Sequence, residues 1–127
     1  MSNLLTKGIN IQVEPEYIPQ RSDPTKPIYY FAYHITITNE SEKIIQLISR
    51  YWHITDSNGN VEEIRGPGVV GKQPKLKKGE LFKYTSFCPL PTEFGVMYGA
   101  FRMVRDSGDS FNARIKPFKL AVPFSVN

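Results

Sequence analysis

The chain reads as an all-β protein, an antiparallel sandwich or barrel with almost no helix. Three observations carry that reading. Apolar and polar residues alternate over most of the sequence. Turn residues separate the alternating runs. No segment carries a clean i, i+3, i+4, i+7 apolar stripe. Alternation places successive side chains on opposite faces of a strand, and several such runs between turns make a sandwich or barrel.

Taken in order, Ile9, Ile11 and Val13 open the pattern. Phe31, Tyr33, Ile35 and Ile37 continue it, with His34 on the more polar face. Ile44–Ile54 is a long strand with apolar side chains of both parities, Ile45/Leu47/Tyr51 and Ile44/Ile48/Trp52/Ile54. Burial on both faces is expected for part of it. Further strands are expected at Val61–Arg65, Leu81–Ser86, Val96–Val104, Phe111–Ile115 and Phe118–Val122. "DSNGN" (Asp56–Asn60) and "RDSGDS" (Arg105–Ser110) supply Gly with Asx and Ser residues, which suit tight turns. Pro15–Pro27 holds four prolines and reads as an exposed loop; Gly66–Glu80 reads as a long loop without helical period.

The 127 residues suit one core, so a single domain over 1–127 is expected. Cys88 is the one cysteine, which excludes an intrachain disulfide and fits a reducing compartment. No apolar segment follows a basic start and none approaches membrane-spanning length, so a cytoplasmic protein without signal peptide or spanning helix is expected. Asn39-Glu40-Ser41 fits a glycosylation pattern that would be idle there.

Net charge is only +4, but its distribution is uneven. From Arg65 to Lys83, six basic residues face the single acid Glu80, a net +5, while the remaining ten basic and eleven acidic residues give −1. Such a concentration favours an anionic partner, although exposed lysines are also ordinary surface.

The same region contains "RGPGVVGKQP", Arg65–Pro74. Gly66, Gly68 and Gly71 match G-x-G-x-x-G, and Gly66, Gly71 and Lys72 match most of a P-loop, with Gln73 in place of its Ser/Thr. Both motifs need a helix opening at the glycines to hold phosphate. Pro74, Gly79 and the alternating "LFKYTS" leave no room for one, so both folds are rejected. Glycine N–H groups can still form an anion-binding nest without a helix. Arg65, Gly66, Gly68, Gly71 and Lys72 are therefore a candidate anion site, weighed against glycines that only let the chain turn.

Other chemistry is thin. His34 and His53 form no metal-ligand spacing, and Cys88 reads as a buried structural thiol. Glu62 and Glu63 must point to opposite faces of a strand, and Glu40/Glu42 form a second possible carboxylate pair. "DSNGNVEE" departs from a calcium loop at its glycine and last position. Phe82 and Tyr84 beside the lysines suggest base stacking, but the low net charge speaks against nucleic acid. No enzyme, cofactor or metal site is expected.

Trp52, Gly66, Gly68-Val69-Val70-Gly71, Gln73-Pro74, Gly79, Tyr84-Thr85-Ser86, Cys88, Gly95, Gly99, Phe111, Pro117 and Phe118 stand in one order along the chain. Together they resemble the bacterial ApaG family. The likeness runs from about Gly8 to Pro123, with Phe87, Lys78 and Lys116 as departures and Lys72 at a variable position. The resemblance implies a fibronectin type III/immunoglobulin-like sandwich of two antiparallel sheets. It implies a protein-interaction module more than an activity, with links to diadenosine-polyphosphate metabolism and to cobalt and magnesium homeostasis. The alternative is a protein binding pyrophosphate or a nucleotide at Gly66–Lys72. A monomer or homodimer with a protein partner, and no membrane, is expected.

Overall fold

The computed structural model describes residues 2–123, so Met1 and Phe124–Asn127, which the single-domain expectation covers, lie outside it. Nine strands run β1 Ser2–Thr6, β2 Ile9–Tyr17, β3 Tyr29–Asn39, β4 Ile45–Asp56, β5 Val61–Pro67, β6 Lys75–Leu76, β7 Leu81–Leu90, β8 Phe94–Arg105 and β9 Ser110–Ala121. The described residues hold no α-helix, and a short 3-10 turn spans Pro19–Arg21. One sheet has the order β1-β2-β3-β7 and the other β5-β4-β8-β9, with β6 paired to β4. All pairings are antiparallel, which makes the expected two-sheet sandwich.

Period two builds the core directly. Ile9, Ile11, Val13, Phe31, Ile35 and Ile37 of the first sheet face Leu47, Met97, Phe101, Met103 and Ile115 of the second, all buried. Trp52 sits at the centre, 2% exposed, with Tyr33, Phe118 and Phe101 against it at ring separations of 5.2, 6.0 and 6.3 Å and interplanar angles of 64°, 86° and 86°. Aromatic pairs of this geometry add to the area they bury.

The expectation that part of Ile44–Ile54 is buried on both faces needs correction. The β4–β8 register shifts between Leu47 and Ser49. The extra residue of this bulge switches parity, so Ile45 and Leu47 share the core face with Trp52 and Ile54. A second shift, between Met97 and Gly99, does the same opposite β9. It explains why Phe111, Ala113 and Ile115 and then Phe118 and Leu120 all point inward along one strand, where two strands were expected.

Two expected loops are partly strands. Pro15 lies inside β2, although proline cannot donate to a ladder. The bonds Glu40 N–H to Gly8 O and Ile18 N–H to Tyr30 O fix the alternation, so the odd positions of β2 turn away from β3. Pro15 therefore faces the side of β1, beyond its last pair Ser2↔Val13, where no donor is needed. The Pro15–Pro27 loop accordingly begins only after Tyr17. Within Gly66–Glu80, Gly66 and Pro67 complete β5, and Lys75–Leu76 pair with Gln46 and Ile45.

Two polar residues organise the connections. Asn39 is fully buried; its amide donates to Lys43 O and Leu76 O, and its oxygen accepts from Ser41 N–H and O–H. The glycosylation pattern is thus a buried hydrogen-bond hub. Asp56 accepts from the N–H groups of Asn58 and Asn60 at 2.8 and 3.1 Å and shapes the β4–β5 turn. Desolvation raises its carboxyl, but the bonds from Asn60, Asn58 and Gly59 outweigh this and hold it below its ordinary value.

Candidate functional site

The glycine stretch resolves into three local tasks. Gly66 pairs with Arg50, and a Cβ there would lie 2.9 Å from the Arg50 guanidinium. Its missing side chain lets Arg50 donate to Pro67 O and Gly68 O at 2.9 and 3.0 Å. Gly68 has φ +61, and a Cβ would lie 2.4 Å from Lys72 O. Val69 and Lys72 exchange backbone hydrogen bonds of 2.8 and 2.9 Å around Val70 and Gly71, whose φ values are 44° and 77°. Two successive positive φ angles with reciprocal bonding define a type I′ hairpin turn. Val69 anchors the hairpin in the core, 1% exposed, while Val70 is exposed at its tip.

This geometry bears on the nest. The Gly68 N–H goes to Ile48 O on β4, and those of Val69 and Lys72 stay within the hairpin. Among the described residues, the N–H groups of Val70 and Gly71 at the tip have no backbone acceptor. Arg65 does not join them. It lies on the opposite parity of β5 from Gly66, with its guanidinium 4.5 Å from the centre of the Tyr51 ring. Of the five candidate residues, Arg65 and Gly66 border a concavity on the adjoining sheet, while Gly68, Gly71 and Lys72 lie in the hairpin.

A different set converges on the outer face of the β5-β4-β8-β9 sheet. Cross-strand register lines up Arg65, Tyr51, Ala100 and Arg114 in one row. Pro67, Ser49, Arg102 and Asn112 form the next row, and Glu63, His53 and Tyr98 the row on the other side. Ala100 is the small residue in the middle, so the larger side chains around it leave two concavities of about 580 and 570 Å³. The two share Tyr51, Ala100 and Asn112 as a common floor and wall. Volumes of this order are those of ligand sites.

The walls are held in place. Tyr51 donates to Glu63 at 2.5 Å, and Arg65 lies 3.7 Å from the same carboxylate. The Tyr51 bond holds the Glu63 carboxyl below its ordinary value, and the same bond raises the Tyr51 hydroxyl. His53 stacks on Tyr98 with ring centres 4.5 Å apart. Arg102 donates to Ser110 Oγ at 2.9 Å. Neither Arg102 nor Arg114 has an acidic partner among the described residues.

The remaining candidates are accounted for elsewhere. His34 bridges three strands through Glu16 and Thr85, both at 2.8 Å. Cys88 is buried, and desolvation pushes its thiol up to about 12. Phe82 and Tyr84 pack against the core and are not offered for stacking. Glu40 accepts from Asn10 and Glu42 pairs with Lys78, so they do not act together. No cluster of three metal-ligating side chains occurs among the described residues. No helix there is long and apolar enough to cross a membrane.

The open strand edges are poor docking templates. The bonds Asp56 N–H to Asn60 O and Gly68 N–H to Ile48 O fix the β5 ladder, so Val61, Glu63, Arg65 and Pro67 face its free edge. By the same alternation Lys83 and Pro89 face the free edge of β7. Proline and charge at such positions discourage strand addition.

The two sheets, their order and their central tryptophan define a fibronectin type III-like sandwich domain. The chain belongs to the ApaG domain family, whose profile matches residues 19–105. It is 49% identical to the ApaG protein of Beijerinckia indica over 98% of this chain and 96% of that one. It is equally identical, 49%, to the ApaG protein of Anaeromyxobacter dehalogenans over the full length of both. The crystal structure of an ApaA protein from Bordetella pertussis superimposes with a TM-score of 0.90 at 47% identity, covering 92% of this chain and 95% of that one.

Proposed function

We propose that this chain is a non-enzymatic interaction module that meets a partner protein through the outer face of the β5-β4-β8-β9 sheet. One observation carries the reading. Two joined concavities meet at Ala100, bordered by the guanidinium groups of Arg102 and Arg114, which no acidic side chain among the described residues neutralises. Exposed arginines and tyrosines are the residue types that dominate binding energy at protein interfaces. The non-enzymatic part rests on chemistry: the buried Cys88 thiol resists ionisation, and His34 is committed at both ring nitrogens. A cytoplasmic setting suits an unpaired thiol.

Affinity capture with the wild-type chain, an Arg102→Glu/Arg114→Glu variant and a Lys72→Glu variant tests this. All three are checked first for native circular dichroism. The face variant is expected to lose partners that the Lys72 variant keeps. Retention of every partner by the face variant sinks the reading.

A second reading places a small anion at the Gly66–Lys72 hairpin. Its support is the pair of N–H groups of Val70 and Gly71, with Lys72 beside them. Calorimetric titration with pyrophosphate checks it, and absence of heat at millimolar ligand retires it.

A further inference from the structure

Resting on the interaction reading above, we infer that the outer face takes an extended acidic segment, with two carboxylates spaced two residues apart on Arg102 and Arg114. Arg102 lies opposite Asn112 and Arg114 opposite Ala100, so the two arginines are diagonal neighbours across β8 and β9. Diagonal positions in an antiparallel pair are about 7–8 Å apart. An extended chain repeats its side chains on one face every two residues, about 6.7 Å. The two spacings agree, and Ala100 leaves the floor between the arginines low enough for a backbone to pass. Guanidinium groups match carboxylates in geometry as well as charge.

The aromatic groups decide between this ligand and single-stranded nucleic acid. Base stacking needs open ring faces. One face of Tyr51 is covered by Arg65, and one face of Tyr98 is covered by His53. Glu63 stands at the same wall, where it would repel a phosphate backbone running along β5. A short acidic segment confined to β8 and β9 avoids that carboxylate.

The test is fluorescence anisotropy with labelled peptides. The probe is Gly-Glu-Thr-Glu-Thr-Gly, and its isomer Gly-Glu-Glu-Thr-Thr-Gly has the same charge with adjacent acids. Saturable binding of the first, with several-fold weaker binding of the second, is expected. Arg102→Gln and Arg114→Gln should each weaken binding about tenfold, the effect of losing one charge-assisted contact. Lys83→Gln removes the same charge from the β7 edge and should leave binding unchanged. Equal binding of the isomers, no saturation at millimolar peptide, or preference for oligothymidylate over both peptides overturns the inference. If the peptides fail while Arg102→Glu/Arg114→Glu still loses a protein partner, the interaction face stands and only its acidic ligand is wrong.

Discussion

The hairpin at Gly66–Lys72 and the face around Ala100 invert the usual relation between sequence motif and site. The hairpin carries the eye-catching pattern, yet three of its N–H groups are bonded inside the protein. The face carries no motif, yet it gathers Arg65, Arg102, Arg114, Tyr51 and Tyr98 from four strands. A motif is contiguous because a loop is contiguous. A sheet face is assembled at right angles to the chain, so its residues are dispersed in sequence.

The largest expected effect lies beneath the face. A Cβ at Gly99 would stand 2.0 Å from Tyr51 O, a collision with backbone that no rotamer relieves. Gly99→Ala should cost about 3 kcal/mol in chemical denaturation, as overpacking does. An unchanged denaturation midpoint would show that β4 and β8 can separate without loss. In the hairpin, Gly66→Ala should displace the Arg50 guanidinium and lose its two bonds to Pro67 and Gly68, about 1–2 kcal/mol. Acidic-peptide affinity should not change, because Arg50 and Gly66 border the first concavity from β4 and β5 while the proposed segment runs over β8 and β9. A fall in affinity equal to that of Arg114→Gln would return the hairpin to the site.

Smaller again is the response to acid. Glu63 titrates below its ordinary value because Tyr51 and then Arg65 favour the carboxylate. Its contribution to stability is present above the unfolded value, about 4.3, and disappears as pH falls through the lower folded value. Thermal melts should therefore decline below about pH 4, and less in Tyr51→Phe, which lacks the bond. The smallest effect is a gain. Val70 is a β-branched residue at φ 44, exposed at the tip of a turn that favours Asn-Gly. Val70→Asn should stabilise by about 1 kcal/mol without altering peptide binding; loss of binding would assign the tip a contact role.

The fold was legible because a half-buried strand writes period two into its sequence, as Phe31 to Ile37 do. Parity after the Leu47/Ser49 bulge was not, because a bulge is a property of pairing between strands. β1 carries no period-two signal because Leu4 and Leu5 adjoin and break the alternation, and Leu5 is exposed. Within the candidate site, Arg65 is legible from its position beside the glycines, and the fold stacks it on Tyr51 of the sheet face. Arg102, Arg114 and Ala100 were invisible until register placed them side by side. The clue present in sequence was alternation on the polar parity: Tyr98, Ala100, Arg102 in one strand and Asn112, Arg114 in the next.

Amide chemical-shift mapping of the nitrogen-15-labelled chain during titration with the alternating acidic peptide tests the central claim most directly. Shifts that follow one saturation curve at Tyr51, Tyr98, Ala100, Arg102 and Arg114, with Gly68 to Lys72 unmoved, are the expected result. Shifts concentrated at Val70, Gly71 and Lys72, with the sheet face silent, would contradict it.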